Sequence, residues 1–220
     1  MTQKDDDSFR NKSFPEWNNL YASEASISSL PWYNKNLDDD LREQLRKSNI
    51  TKGRFLDLGT GPATQAIELS KLGFKVTATD ISENAIVRAK RISEDIEFIV
   101  DDILYSKLKD DTFDYIFDRG CFHVLAHLLR QRYVGQVSRI LKDTGFLFLK
   151  TFSVSEPSTE GPYKFSVEMI RSIFGKEFEI DYSKETVYQG TLDMLPKALS
   201  GVLRKKRMMS KASEVHEGTT

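Results

Sequence analysis

Between Phe55 and Ser82 the chain reads FLDLGTGPATQAIELSKLGFKVTATDIS, and no other stretch limits its fold so tightly. The short apolar run from Arg54 to Asp57 reads as a buried strand. Gly59-Thr60-Gly61 supplies a tight turn. A helix is predicted from about Pro62 to Lys71, stopped by Gly73, and a second strand from Lys75 to Asp80. Strand, glycine turn, helix and strand form a βαβ unit, whose strands must lie parallel. Glycine at 59 and 61 lets the backbone approach a ligand where a Cβ would block it.

The same residues choose between ligands. A dinucleotide site wants G-x-G-x-x-G, with a pyrophosphate on the helix N-terminus. Here Thr64 occupies the third glycine position, and Asp57 lies two residues before the first glycine. A carboxylate there repels a diphosphate and suits a ligand carrying an ammonium and a sulfonium, which is S-adenosylmethionine. Asp80 stands 21 residues after Gly59, at the end of the second strand, where a carboxylate can accept both hydroxyls of a ribose.

Strands and helices alternate beyond this unit. Ser82 caps a helix to about Ile92; Ile96–Val100, Phe113–Phe117 and Gly145–Phe152 read as strands, with a helix from about Leu128 to Leu141. This pattern predicts a parallel sheet covered on both faces. A polar loop and a helix starting at Ser166 follow. Phe178–Tyr188 and Ala198–Leu203 then read as an antiparallel end of the sheet. Residues 14–50 carry Trp17, Tyr21, Trp32 and other apolar side chains that need a surface to cover. Residues 1–13 and 205–220 read as polar tails around a single domain, 14–204.

From about Trp17 to Arg204 the chain resembles the class I S-adenosylmethionine-dependent methyltransferases. It is similar in particular to the group of thiopurine, tellurite-resistance and thiol/halide methyltransferases. Besides the glycine unit, the resemblance rests on Leu30-Pro31-Trp32, Asp118-Arg119-Gly120 and Gly161-Pro162-Tyr163. It implies a doubly wound, Rossmann-like α/β fold with a mostly parallel seven-stranded sheet and an antiparallel last strand. It implies a cofactor site at Asp57, Gly59, Thr60 and Gly61, with Asp80 and Ile81 at the ribose. Asp102 then faces the adenine amino group and Ile103 packs on the ring, with Asp101 competing with Asp102. Trp32, in the segment matching the family's N-terminal lid, and Asp118 complete the site. The residues at 14–33 are expected to order over the cofactor, and Tyr163 to line the acceptor pocket.

Catalysis falls to Asp118, Arg119 and His123 in this reading. Methyl transfer from a sulfonium needs alignment more than acid–base chemistry, so no triad is expected. Arg119 can orient an anionic acceptor or simply pair with Asp118. His123 can serve as a base or pack in the core. Cys121 reads as a small apolar residue rather than a nucleophile. No metal is called for.

Composition sets the class of partner. Net charge is −1 in 220 residues, with one cysteine. That argues against a broad phosphate-binding face, so no nucleic-acid partner is expected. The run Arg204-Lys205-Lys206-Arg207 reads as a solvated strand end. Neither a leader nor a membrane-spanning run is apparent. The expectation is a cytoplasmic monomer or weak homodimer acting on a small-molecule acceptor, with a soft nucleophile such as a thiol leading. The rivals are a methyltransferase of protein or RNA, and a cofactor-binding module without activity.

Overall fold

The apolar run at the head of the glycine unit becomes β1 (Arg54–Leu58), and its side chains alternate between two cores. Phe55 enters one layer, with Ala66, Leu69, Phe98 and Phe148; Leu56 and Leu58 enter the other, with Ile116, Tyr133 and Phe174. The structure, a computed structural model, describes residues 16–22 and 27–207. The expected tails at 1–13 and beyond 207 lie outside the described residues.

Parallel strands β2 (Lys75–Asp80) and β4 (Phe113–Arg119) flank β1. With β3 (Glu97–Val100), β5 (Leu141–Ser153), β6 (Lys164–Phe165), β7 (Phe178–Val187) and β8 (Lys197–Lys205), they form one eight-stranded sheet. The order is β3-β2-β1-β4-β5-β8-β7, with the short β6 pairing β5. β8 runs antiparallel between β5 and β7. The sequence reading gave seven strands; two residues are too few for β6 to show a period. β5 begins at Leu141 rather than Gly145, because Leu141 pairs with Phe113 across an irregularity in the register.

Helices α1 (Trp17–Ala22), α2 (Asp39–Lys47), α3 (Thr64–Lys71), α4 (Glu83–Lys90), α5 (Arg130–Ile140) and α6 (Val167–Phe174) cover the sheet. Ser82 and Ser166 cap α4 and α6 by accepting from Ala85 and Met169 N–H. Among the described residues, no helix is long and apolar enough to cross a membrane.

Of the basic run near the C-terminus, Lys206 and Arg207 are exposed, while Lys205 is drawn into the sheet. β8 extends to Lys205, which is buried; its ammonium donates to the Leu141 carbonyl and pairs with Asp111 and Asp143. Arg204 pairs with Glu179 and Asp181.

A buried charge cluster fastens α2 to the C-terminal ends of the strands. Lys150, 1% exposed on β5, reaches Asp38 at 2.8 Å, Asp40 at 2.7 Å and the Gln189 side chain at 2.6 Å. Asp38 also accepts from Arg119 Nε at 2.9 Å, and its backbone N–H donates to Gln65. Asp38 caps α2 by accepting from Asp40 N–H. Burial alone would raise the Asp40 carboxyl, but the charge and hydrogen bonds of Lys150 and Lys184 outweigh it and hold the carboxyl below the usual range.

Removing one member leaves a desolvated charge without its partner. Lys150→Ala is expected to lower stability by about 3–5 kcal/mol. Lys184→Ala, at the partly exposed rim, is expected to cost about 1 kcal/mol or less. Urea midpoints at unchanged slope check both; equal losses for the two variants would contradict the placement.

Candidate active site

The strand order reverses between β1 and β4, and open α/β sheets bind ligands at the strand C-termini beside such a switch. The glycine turn lies there. Gly59 and Gly61 have φ of 70° and 47°, and Ala63 follows in the left-handed region at 61°. The turn is braced from both neighbouring strands. Thr60 N–H donates to Thr79 O at 2.8 Å, and Gly61 N–H donates to the Asp80 carboxylate at 2.9 Å. Asp80 also accepts from Ser82 N–H at 2.8 Å. A carboxylate has about four acceptor positions, so capacity remains for hydroxyl donors. Beside it Ile81 is exposed and presents an apolar surface.

Asp57 is buried below the turn and accepts from the Thr60 hydroxyl at 2.6 Å. Burial pushes its carboxyl up to about 6, against the pull of that hydroxyl and of the Ala66 N–H. Burial also raises Asp80, opposed by N–H bonds from Ser82, Gly61 and Ile81. Two acids held so close, in the crevice, favour a cationic ligand over an anionic one. The arrangement fits the adenosine cofactor read from the sequence. Asp57, Thr60, Gly61 and Asp80 are brought together, while Cys121 Cβ lies 3.1 Å from where a Gly59 Cβ would stand.

After β3, Asp102 caps a short turn by accepting from Leu104 N–H, and Ile103 is buried in the core. Asp101 accepts from Lys107 N–H at 3.0 Å, and its other oxygen is buried without a partner. Both acids thus shape the loop at the end of β3.

The loop after β4 departs from the sequence reading. Asp118 is fully buried and accepts from the N–H groups of Gly120, Cys121 and Phe122 at 3.0, 2.8 and 2.9 Å, and from the Tyr133 hydroxyl at 2.5 Å. Burial raises it to about 6, against those four bonds. It organises its own loop, with both carboxylate oxygens occupied by these four donors. Arg119 does not pair with Asp118. It donates to Asp38, to the Trp32 carbonyl at 2.9 Å and to the Gln189 carbonyl, and lies 4.5 Å over the Tyr188 ring. Its guanidinium is a strut between three segments.

His123 is 4% exposed, stacked beside Tyr188 and edge-on to Phe152. Its Nδ1 accepts from Phe152 N–H at 3.2 Å, so the ring proton of the neutral form sits on Nε2. Burial, then the Arg119 charge, drives its pKa down to about 3. A ring with one nitrogen already accepting and the other protonated is a donor, not a base.

The N-terminal segment roofs this end. Asn18 on α1 accepts from Asn84 N–H at 3.0 Å and from the Ser82 hydroxyl. A Cβ at Gly61 would collide with the Tyr21 hydroxyl. Tyr21 accepts from Trp32 Nε1 at 3.3 Å, and Trp32 packs edge-on to Trp17. Gln65 donates to the carbonyls of Asn34 and Asn36. Thr191 N–H donates to Pro31 O, closing the roof against the loop after β7. Gln65, Lys150 and Gln189 escaped the sequence reading of the site.

Fold and site together define a Rossmann-like class I methyltransferase. The methyltransferase domain family matches residues 55–145. An uncharacterized methyltransferase of Schizosaccharomyces pombe is 32% identical over 53% of this chain and 86% of its own. The thiopurine S-methyltransferase of Legionella pneumophila is 28% identical over 70% and 77%. Human EEF1A lysine methyltransferase 2 is 26% identical over 64% and 66%. A solved structure described as "Conversion of a Disulfide Bond into a Thioacetal Group during Echinomycin Biosynthesis" superposes with a TM-score of 0.74 at 21% identity, covering 86% and 92%. The chain belongs to the class I S-adenosylmethionine-dependent methyltransferases, enzymes whose cofactor is S-adenosylmethionine.

The buried imidazole gives a pH signature. His123 is depressed in the folded state, so its contribution is present above the unfolded value of about 6.5 and is lost as pH falls toward the folded value. Against His123→Gln, which keeps an acceptor and never charges, wild type should lose about 2 kcal/mol of relative stability between pH 7 and about pH 5. Urea unfolding of both proteins at the two pH values measures it. A constant difference would mean that the imidazole charges freely when folded.

Proposed function

We propose that this methyltransferase acts on a small-molecule acceptor through a soft nucleophile that arrives already anionic, a thiolate first among them. One observation carries the reading: the β4 loop offers no free base. The Asp118 oxygens take four hydrogen bonds, and His123 accepts at Nδ1 and holds its proton at Nε2. A lysine ammonium, with a pKa near about 10.4, would have to lose a proton before attacking. A thiol with a pKa near about 8.5 supplies a few per cent of thiolate unaided at pH 7.

Bound S-adenosylmethionine supplies a methyl group on a positive sulfur, which recovers the electron pair of the breaking bond as the acceptor's sulfur forms the new one. The chain's share is binding, alignment and exclusion of water. Asp57 sets a negative charge under the glycine turn. Asp80 accepts from the ribose hydroxyls with the capacity its backbone bonds leave. Ile81, exposed beside Asp80, offers the adenine an apolar face, with Asp102 at its amino group. The Trp17–Tyr21–Trp32 group covers the turn. The thiopurine relative supports a small sulfur acceptor, and the lysine methyltransferase relative supports a protein side chain. The absence of a free base in the β4 loop favours the first.

Asp80→Asn is expected to weaken S-adenosylhomocysteine binding at least about tenfold, about 1.4 kcal/mol, by calorimetry, with the fold retained. Unchanged affinity would move the ribose elsewhere. A series of thiols of graded acidity, assayed for S-adenosylhomocysteine release, tests the acceptor. The rate should follow the thiolate fraction, with a kinetic pKa that moves with the thiol and not with His123→Gln. A pKa fixed across thiols would reveal a base in the protein. Turnover of a lysine peptide but of no thiol would establish the protein-directed reading.

A further inference from the structure

Asp57 and Asp80 are two buried acids whose hydrogen-bond donors are all neutral. Asp57 lies on β1 and Asp80 ends the neighbouring β2. The glycine turn bridges them, with the Thr60 hydroxyl donating to Asp57 at 2.6 Å and Gly61 N–H to Asp80 at 2.9 Å. The other donors are the N–H groups of Ala66 on Asp57 and of Ser82 and Ile81 on Asp80. The acids of the adjoining cluster are held differently: Asp38 and Asp40 are matched by Arg119 and Lys150.

The elements packed on the pair do not supply a counter-ion in contact. From β4, the Arg119 charge favours ionised Asp57, but its donors go to Asp38 and to the Trp32 and Gln189 carbonyls. From α1, Tyr21 offers a hydroxyl that burial and the Asp80 charge keep protonated, well above its usual range. Burial, with Asp80 as a like charge nearby, then outweighs Thr60, Ala66 and Arg119 and holds Asp57 at about 6. Asp118, raised to the same value, keeps its oxygens on its own loop and Tyr133.

The cofactor of this crevice brings what the fold withholds. S-adenosylmethionine carries a positive sulfur and an ammonium, and its own ionisable groups titrate outside about pH 5 to 6.5. In that window its charge is constant, so a proton that moves on binding comes from the protein. A cation beside a carboxyl group favours the ionised form.

We infer that Asp57 is a proton-linked partner of the cofactor, protonated in the free protein at mildly acidic pH and ionised in the complex. On binding, the carboxyl O–H bond breaks, the proton passes to solvent, and the carboxylate left behind faces the cationic ligand. Asp57 loses its proton more readily in the complex than in the free protein, so binding tightens as pH rises through the free-state value and levels off above it. Between pH 7 and pH 5 the apparent Kd should rise about tenfold. Acid thus unloads the cofactor site. The acceptor takes no part, so this inference stands or falls apart from the thiol reading.

The test titrates the full chain calorimetrically with S-adenosylmethionine, in pairs of buffers that differ in ionisation enthalpy. The difference in heat counts the protons released. About half a proton per cofactor is expected at pH 6, and about fivefold less at pH 7. No release at pH 6 by wild type overturns the inference, whether or not any variant folds. Thr60→Val removes a hydrogen bond that holds the ionised Asp57, so the pH of half-release should move up by about one unit. Release that Thr60→Val leaves at the same pH comes from another group and overturns the assignment to Asp57.

Discussion

The Lys150–Asp38–Asp40–Arg119 cluster is the constraint on which the upper end of this molecule depends. Two cations and two anions are buried together, so the desolvation of each is offset only while the others stay in place. A set of apolar side chains could fill that space with equal or greater stability. What charge adds is register. Asp38 caps α2, receives Lys150 from β5 and Arg119 from β4, and is held at its backbone by Gln65 of α3. Any slip of the N-terminal segment would break several charge-assisted bonds at once. The Trp32 carbonyl and the Gln189 carbonyl are bound to the same guanidinium. The roof over the glycine turn is therefore set by the ends of β4 and β5, not by its own sequence.

The roof has a chemical consequence. Burial at this end of the sheet raises Asp57 and Asp118 to about 6 and, with the Arg119 charge, lowers His123 to about 3, so that each is held nearer its neutral form. The cause is the same in all three, yet the outcomes differ. Asp118 spends its oxygens on the loop and Tyr133. His123 spends Nδ1 on Phe152. Asp57 makes fewer bonds, to the Thr60 hydroxyl and the Ala66 N–H, and lies under the glycine turn. The apolar setting that keeps these groups near their neutral forms would also strengthen the attraction between an ionised Asp57 and any cation beside it.

What the sequence showed clearly was local. The strand, glycine turn, helix and strand from Arg54 to Asp80 were legible because their signals lie within a few residues of one another. Ser82 and Ser166 announced helix starts for the same reason. The charge cluster was not legible, since Asp38 lies 112 positions from Lys150 and 81 from Arg119. One signal was present all the same: a lysine inside GFLFLKTFS is a charge in a strand otherwise apolar, and such a charge demands a buried partner. Asp118 could not be resolved from the sequence, because a strand-end Asp serves a ligand or a loop equally well; in the fold its oxygens take four donors from its own loop and Tyr133. His123 was left open between base and core, and its Nδ1 bond to a distant strand decides for the core.

The same reasoning explains why Arg119 and Arg130 are held so differently although both sit near the C-terminal ends of β4 and β5. A guanidinium has five donors and cannot lose its proton, so its neighbours determine how it is held. Around Arg119, a carboxylate and two carbonyls take the donors, and moving it would unfasten the roof. Around Arg130, two aromatic rings hold the plane and one carbonyl takes a single donor. Rings fix orientation without neutralising charge.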